Sequence, residues 1–422
     1  VAVVAGCRTP FAKAGTDYRD LTALDLAKAC TRELIERTEI DAKSVGYVVM
    51  GQVIPSVLAP NLGREVALRT GLPMSVPAHS VNRACASANE AIAEVATAIL
   101  QGHAQVGIAG GAESLSDVPI LHSKRMARML VEASRAKGIG ARLKAFASLR
   151  PADLAPQTPA IAEPTTGLTM GQSAEKMAKE NGISREEQDR IAFLSHKNAA
   201  AATEDGRLTQ EMCSVFVPPK YATEVKTDNL VRRDATLEAL AALPPVFDRR
   251  HGSVTAGNSS PLTDGAAAVL LMSEERARAD GYAPLAFIKS WAVAAVDPGG
   301  QLLMGPALAV PMALERASLT LADIDLVEMH EAFAAQVASN IQALESESWA
   351  REKLGRSAPV GKVDRERLNV CGGSIALGHP FGATGARITA TLANEMARRN
   401  AKHGLISVCA QGGMGFAMVL ER

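Results

Sequence analysis

The stretch "ERTEIDAKSVGYVVMG" (Glu36–Gly51) has a counterpart far along the chain, "ERASLTLADIDLVEMH" (Glu315–His330). The two align without a gap at an offset of 279 residues. In each, a helix end leads through a polar turn into a short apolar strand. A second pair follows in the same order. "NRACASANEA" opens a helical pattern that leads to the strand "VGIAGGAES", and "NVCGGSIALGHPFGATGARITATLANEMA" leads to "GLISVCAQGGMG". One match is within reach of chance, but two in the same order indicate an internal repeat. The chain reads as a duplicated α/β unit, its copies packed about a pseudo-twofold axis.

The surroundings agree. Apolar runs such as "VAVVAG" and "AAAVLLM" alternate with helical patterns such as "LTALDLAKACTRELIERT", the mark of α/β layers. The region from about Asp117 to Arg250 is different, rich in charge, Pro and helix signals. Within it, Leu121–Arg150 carries eight Lys/Arg against one Glu. A solvated helix face is the plain reading, and a basic amphipathic surface for ligand phosphates, a membrane face or a partner subunit is the functional one. "APQTPAIAEPTTG" (Ala155–Gly167) reads as a Pro-punctuated loop, and Ser173–Ala202 as a helical pair.

At 422 residues the chain exceeds one ordinary core. Hydrophobic residues make up 47% but aromatic ones only 4%, so Ala, Val, Leu, Ile and Met must build the interior. Lys+Arg and Asp+Glu both number 45, which leaves no global field for nucleic acid. No apolar run approaches the roughly 18 residues that span a bilayer. The opening "VAVVAGCRTPFAKAG" reads as a strand and turn, with neither a signal-peptide nor a transit-peptide pattern.

Six scattered cysteines lack C-x-x-C or metal-site spacing, so free thiols are expected, with Cys7, Cys30 and Cys213 as buried filler. Cys85 stands among small residues ahead of the helix "ANEAIAEVATAIL". A helix N-terminus favours thiolate, so a lowered pKa is expected there. His379 lies in the Gly/Pro-rich turn "GGSIALGHPFGATGARI", where a neutral imidazole beside a thiol would activate it. Cys409 ends an apolar strand before "QGGMG", a position that suggests a thiol exposed at a sheet edge with main-chain N–H groups nearby for an oxyanion. His330 and Glu331 lie at a strand-to-helix junction. The other histidines (His79, His103, His122, His196, His251, His403) read as surface or structural.

Together the nucleophile segment, "GNSSPLTDGAA", "HEAF", "GHPFGATG" and "CAQGGMG" resemble the thiolase family, in the family's order and over nearly the whole chain. The resemblance implies an α/β fold of two βαβαβαββ halves layered α-β-α-β-α, with a mainly helical loop domain inserted in the first. The halves would be residues 1–275, including the loop domain at about 117–250, and 276–422. By position, Cys85 would be the acylated nucleophile and His379 its activator. Cys409 would be the acid/base, and the N–H groups of Cys85 and Gln411 would form an oxyanion hole. Ser260 would contact the pantetheine arm, and Met170 and Met304 would shape the pocket. Gln411 replaces the family's usual Gly, a change that leaves a main-chain donor in place.

The family motif usually begins with Asn, and His330 stands in its place. That departure, with "SDVPILHSKRM" and "LAPQTPAIAEPTTGLTMGQSAEKMA", resembles the β-subunits of trifunctional fatty-acid oxidation complexes. The resemblance implies cleavage of medium- or long-chain 3-ketoacyl-CoA by CoA. The keto oxyanion would be held by His379 and a water on His330, and the acetyl-CoA enolate by main-chain N–H groups. It implies no metal and no cofactor, coenzyme A being a substrate. It also implies a homodimer within a hetero-oligomer with a hydratase/dehydrogenase α-subunit, with peripheral membrane contact through residues 121–150. The Ala/Arg-rich composition leans towards a bacterial cytoplasmic location, or the mitochondrial matrix if the source is eukaryotic. A β-ketoacyl synthase lacks a second catalytic cysteine, so Cys409 argues against it. A biosynthetic acetoacetyl-CoA thiolase is the runner-up, set aside because of His330 and the basic insert. A silent CoA- or lipid-binding scaffold is disfavoured by the retained cysteines and histidines, and a papain-like protease by its missing local signature.

Overall fold

The repeated segment folds the same way twice. In the computed structural model, which describes residues 1–156 and 162–422, helix Ala23–Thr38 ends at a left-handed Glu39 and helix Gly305–Ala317 at a left-handed Ser318. Each continues into a short 3-10 turn, Ala42–Ser44 or Leu321–Asp323, and then a strand beginning at Tyr47 or Leu326. Every one of these landmarks keeps the offset of 279 seen in the sequence. Residues 157–161, within the Pro-punctuated loop, lie outside the described residues.

The strands among the described residues are β1 (Ala2–Arg8), β2 (Ala12–Lys13), β3 (Tyr47–Gly51), β4 (Ala78–Val81), β5 (Val106–Glu113), β6 (Val215–Val217), β7 (Thr223–Val225), β8 (Thr263–Met272), β9 (Ala286–Ala295), β10 (Leu326–Met329), β11 (His403–Ala410) and β12 (Met414–Glu421). The main sheet runs β4-β3-β5-β8-β1-β9-β12-β11-β10, with β2 on β8, and β6 and β7 form a separate hairpin. Its two ends mirror each other. β3 is parallel to β4 and β5, while β10 is parallel to β11 and bridges Leu368 in parallel where the counterpart of β4 would stand. β5 pairs antiparallel with β8 as β11 does with β12, and β1 meets β9 antiparallel at the seam. This is the expected duplicated βαβαβαββ unit, its second copy having one strand reduced to a bridge.

Helices Ser87–Leu100 and Thr384–Arg399 form the middle layer. Ala88, Ala91, Ile92 and Val95 of one, with Ala386, Ile388, Ala390 and Met396 of the other, share one buried cluster with strands of both halves. Small side chains let the helices come close, and Gly385 is required because a Cβ there would strike Asn89. Leu26, Cys30 and Leu34 of helix Ala23–Thr38 cover the first half from outside, and Val310, Leu314, Val337 and Ile341 cover the second. Burying these stripes drives the assembly, at about 1.5–3 kcal/mol for each large aliphatic side chain. The expected helical pair is present as Met170–Glu180 and Arg185–Glu204. Among the described residues, no helix is long and apolar enough to cross a membrane.

Candidate active site

The middle-layer helices begin side by side, and the reactive residues gather at their N-termini. Ahead of Ser87–Leu100 the chain turns sharply through Ala84, whose φ is +46°. A left-handed alanine costs about 1–2 kcal/mol, so the turn must be held. Ser87 Oγ donates to the Ala84 carbonyl at 2.6 Å and accepts the Arg83 N–H at 2.9 Å, while Arg83 Nε donates to Glu90 at 2.7 Å. Cys85 follows, the one cysteine of the six that is not fully buried. Half-buried as a residue, it still keeps its sulfur in a desolvated niche. Burial pushes the thiol up to about 12, although N–H groups of Gln411 and of Cys85 itself pull the other way. The expected depression by the helix terminus is therefore overturned, because desolvation of a thiolate outweighs the local dipoles.

His379 sits in the turn ahead of the second helix, after a left-handed Gly378 at φ +98°. Its N–H donates to Thr263 Oγ1 at 3.0 Å, and its Nδ1 pairs with Thr384 Oγ1 at 2.6 Å. Burial, with Arg387 adding to it, depresses the imidazole to about 3. His330 directly follows β10, where its N–H donates to the Ser407 carbonyl at 2.8 Å and its Nδ1 pairs with Ser374 Oγ at 2.9 Å. Burial, His379 and Arg387 hold it well below the ordinary histidine value. The two rings lie 4.1 Å apart at 48°. Both Nε2 atoms are buried without a hydrogen bond. One nitrogen of each ring and the Cys85 sulfur lie within 4.8 Å of one another. Among the described residues this is also the one such trio of Cys, His or carboxylate groups able to hold a metal ion.

Cys409 is fully buried on β11 opposite Gly415 of β12. The expectation of a thiol exposed at a sheet edge fails, because β11 lies between β10 and β12. Burial, then the neighbouring Cys85, hold its thiol well above the ordinary value. Met304 is buried beside it in one apolar cluster, with the half-buried Met170 and Phe247 packed against that cluster. Ser260 is placed by its N–H, which donates to the Ala332 carbonyl at 3.0 Å and so lays the "GNSSP" loop on the "HEAF" loop.

Three carboxylates hold this arrangement, and for Glu113 and Glu163 the sequence motifs suggest no role. Glu113, at the end of β5, accepts the N–H groups of Val53, Ile54 and Gly382, each at 3.0 Å. It thereby ties the His379 turn to the first half, and burial raises it to about 7. Glu163 accepts the Gly412 N–H at 3.0 Å, and Gln411 Nε2 donates to the Ala162 carbonyl at 2.9 Å, so Ala162 and Glu163 clamp the turn after Cys409. Glu331 accepts from Ser195 at 2.7 Å, Asn369 at 2.6 Å and the Ile375 N–H at 3.2 Å, behind His330. A charged residue ending an apolar strand was the available signal for Glu113, but its partners lie up to 269 residues away.

A cavity of about 830 Å³ opens elsewhere, between helix Arg185–Glu204 and residues 365–369. None of Cys85, His330, His379 or Cys409 lines it. The converging reactive groups, not the room available, mark the candidate site.

The thiolase N-terminal domain family model matches residues 1–275, and the thiolase C-terminal domain model matches residues 282–422. Similar curated proteins include a 3-ketoacyl-CoA thiolase of Pectobacterium carotovorum, 51% identical over 421 residues (100% of this chain, 96% of that protein). One from Escherichia coli is 50% identical over the same shares. The fold resembles an acetyl-CoA acetyltransferase of Bacillus anthracis, with TM-score 0.85, 33% identity, and coverage of 100% of this chain and 98% of that one. It also resembles human mitochondrial 3-ketoacyl-CoA thiolase, with TM-score 0.83, 34% identity and the same coverage.

Proposed function

The chain belongs to the thiolase family and is a 3-ketoacyl-CoA thiolase, an acyltransferase, and from that premise we propose how its residues perform the reaction. The observation that carries the proposal is the convergence of Cys85, His330 and His379 within 4.8 Å.

Cys85 attacks the 3-keto carbon while its proton passes to His379 Nε2. The main-chain N–H groups of Cys85 and Gln411 are the groups that pull the Cys85 thiol down, so they lie on the side of the carbon it attacks and take the new alkoxide. This exchanges the two oxyanion sites expected from the sequence. The bond between C2 and C3 then breaks, leaving an acyl thioester on Cys85 and the enolate of acetyl-CoA. The enolate's thioester oxygen faces the two Nε2 atoms, and the Cys409 thiol protonates C2. Incoming CoA gives its thiol proton to the Cys409 thiolate and attacks the acyl group. The Cys85 sulfur leaves and recovers its proton from His379. Buried, preorganised donors of this kind are each worth about 10²–10³ in rate. Met170 and Met304 wall the reacting centre, and Ser260 holds the pantetheine arm.

The finer assignments rest on the chain's own surface. Exposed Leu130, Val131, Ile139 and Leu143 stand among the basic residues of helices Lys124–Arg135 and Ile139–Ala145, which supports peripheral contact with anionic lipid. The edge of β4, unpaired among the described residues, supports a homodimer, the His330 signature supports assembly with a hydratase/dehydrogenase α-subunit, and the bacterial relatives support a bacterial source. CoA-dependent loss of 3-ketoacyl-CoA is measured over a chain-length panel, with Cys85→Ala and Cys409→Ala alongside. Activity rising with chain length and abolished in Cys85→Ala is expected. Activity confined to acetoacetyl-CoA would move the assignment to a short-chain biosynthetic enzyme. Failure to sediment with anionic vesicles at low salt would remove the membrane reading.

A further inference from the structure

Ser374 and Arg387 take no part in the steps above, yet both are buried within reach of His330. Ser374 is fully buried and its Oγ has two partners, Arg387 Nη2 at 3.1 Å and His330 Nδ1 at 2.9 Å. A guanidinium only donates, so Arg387 fills one lone pair of the hydroxyl. The single hydroxyl hydrogen then has one acceptor within reach, His330 Nδ1. Were Nδ1 protonated, the serine would accept from both sides and its own hydrogen would be stranded in a buried site, an arrangement that native interiors avoid. Arg387 cannot turn away, because it is itself buried and braced at 3.4 Å by Glu328.

We propose that Ser374 and Arg387 are positioning residues that hold His330 as the Nε2–H tautomer, so that His330 donates a hydrogen bond directly to the thioester oxygen of the substrate. The proposal rests on the thiolase reading for its ligand, but the tautomer follows from the chain alone. It accounts for the orphaned His330 Nε2: the atom is a donor aimed into the site. It also separates the histidines. His379 must present a lone pair at Nε2 to take the Cys85 proton, which requires a proton on Nδ1. Thr384 Oγ1 can accept that proton while donating to the Pro380 carbonyl at 3.1 Å. The two adjacent imidazoles thus carry opposite tautomers, one a donor and one a base, set by the hydroxyl behind each.

The test is nitrogen NMR of the full chain with isotope-labelled histidine, the His330 signals being those lost in His330→Asn. The expected result is an unprotonated Nδ1 and a protonated Nε2 on a neutral ring. In Ser374→Ala the two tautomers should mix, and kcat should fall about 10–100-fold with KM changed no more than about twofold. A merely structural role would leave the tautomer unmoved. Protonated Nδ1 in the wild-type chain overturns the proposal, as does wild-type kcat in Ser374→Ala. If Ser374→Ala does not fold, the wild-type tautomer alone decides. A chain that thiolyses no 3-ketoacyl-CoA yet shows the Nε2–H tautomer sinks the functional reading and leaves the Ser374 lock standing.

Discussion

The protonation state of the resting site is open to a direct test. Burial sets the Cys85 thiol at about 12 and the His379 imidazole at about 3. Moving the proton from one to the other is uphill by roughly 12 kcal/mol, at about 1.36 kcal/mol per pH unit. The reactive atoms lie within 4.8 Å, and attraction between the new charges returns only about 3–4 kcal/mol at an effective dielectric near 20. The resting pair is therefore neutral thiol and neutral imidazole, and thiolate forms only as the sulfur attacks. Alkylation of the free enzyme by iodoacetamide reads this out, with inactivation rates measured from about pH 6 to about pH 10 and Cys85 confirmed by mass spectrometry. The logarithm of the rate should climb with unit slope throughout, and below about pH 8 the reaction should be slower than for an unperturbed cysteine. A plateau with a midpoint below about pH 8 would mean a resting thiolate–imidazolium pair and would refute the reasoning.

Three further outcomes are expected. His379 is a base whose folded value lies below its unfolded one, so the unfolded chain binds the extra proton and stability falls as pH drops below about 6.5. His379→Asn should flatten the dependence of unfolding free energy on pH between about 6 and 4 by up to about 1.4 kcal/mol per pH unit, measured by denaturant titration, and an unchanged slope counts against a neutral buried His379. Gly382→Ala places a Cβ 2.6 Å from the Gly51 carbonyl oxygen and 2.7 Å from that of Ala112. It should lower stability by about 1–3 kcal/mol and cut kcat by displacing the His379 turn, as thermal melts and steady-state kinetics would show. Zinc should inhibit by binding Cys85, His330 and His379, with release of the thiol proton and transfer of the His330 proton from Nε2 to Nδ1 against the hold of Ser374, and a chelator should restore activity; inhibition undiminished in His330→Asn would place the ion elsewhere.

Symmetry of fold does not extend to chemistry. The repeat aligns Gly51 with His330, both at the strand ends that face the middle layer. A Cβ at Gly51 would meet the main chain of Ser87 and Ala88, so the first copy must be bare where the second carries its imidazole. Cys85 is supplied by one copy, and His330, His379 and Cys409 by the other.

The amino-acid sequence by itself determined the duplicated α/β architecture, because hydrophobic period and turn chemistry are local and were written twice at a constant offset. It also singled out the side chains proposed to react, since Cys85, His330, His379 and Cys409 each stand in a short motif. Only the tertiary structure decided their state. Desolvation reversed the expected acidity of Cys85, and the strand pairs flanking β11 buried Cys409. Glu113, Glu163, Ser374 and Arg387 came to light only where distant segments meet. The physical reason is common to all of these: pKa, tautomer and hydrogen-bond partner depend on which groups surround an atom once water is gone, and those neighbours come from segments far apart along the chain.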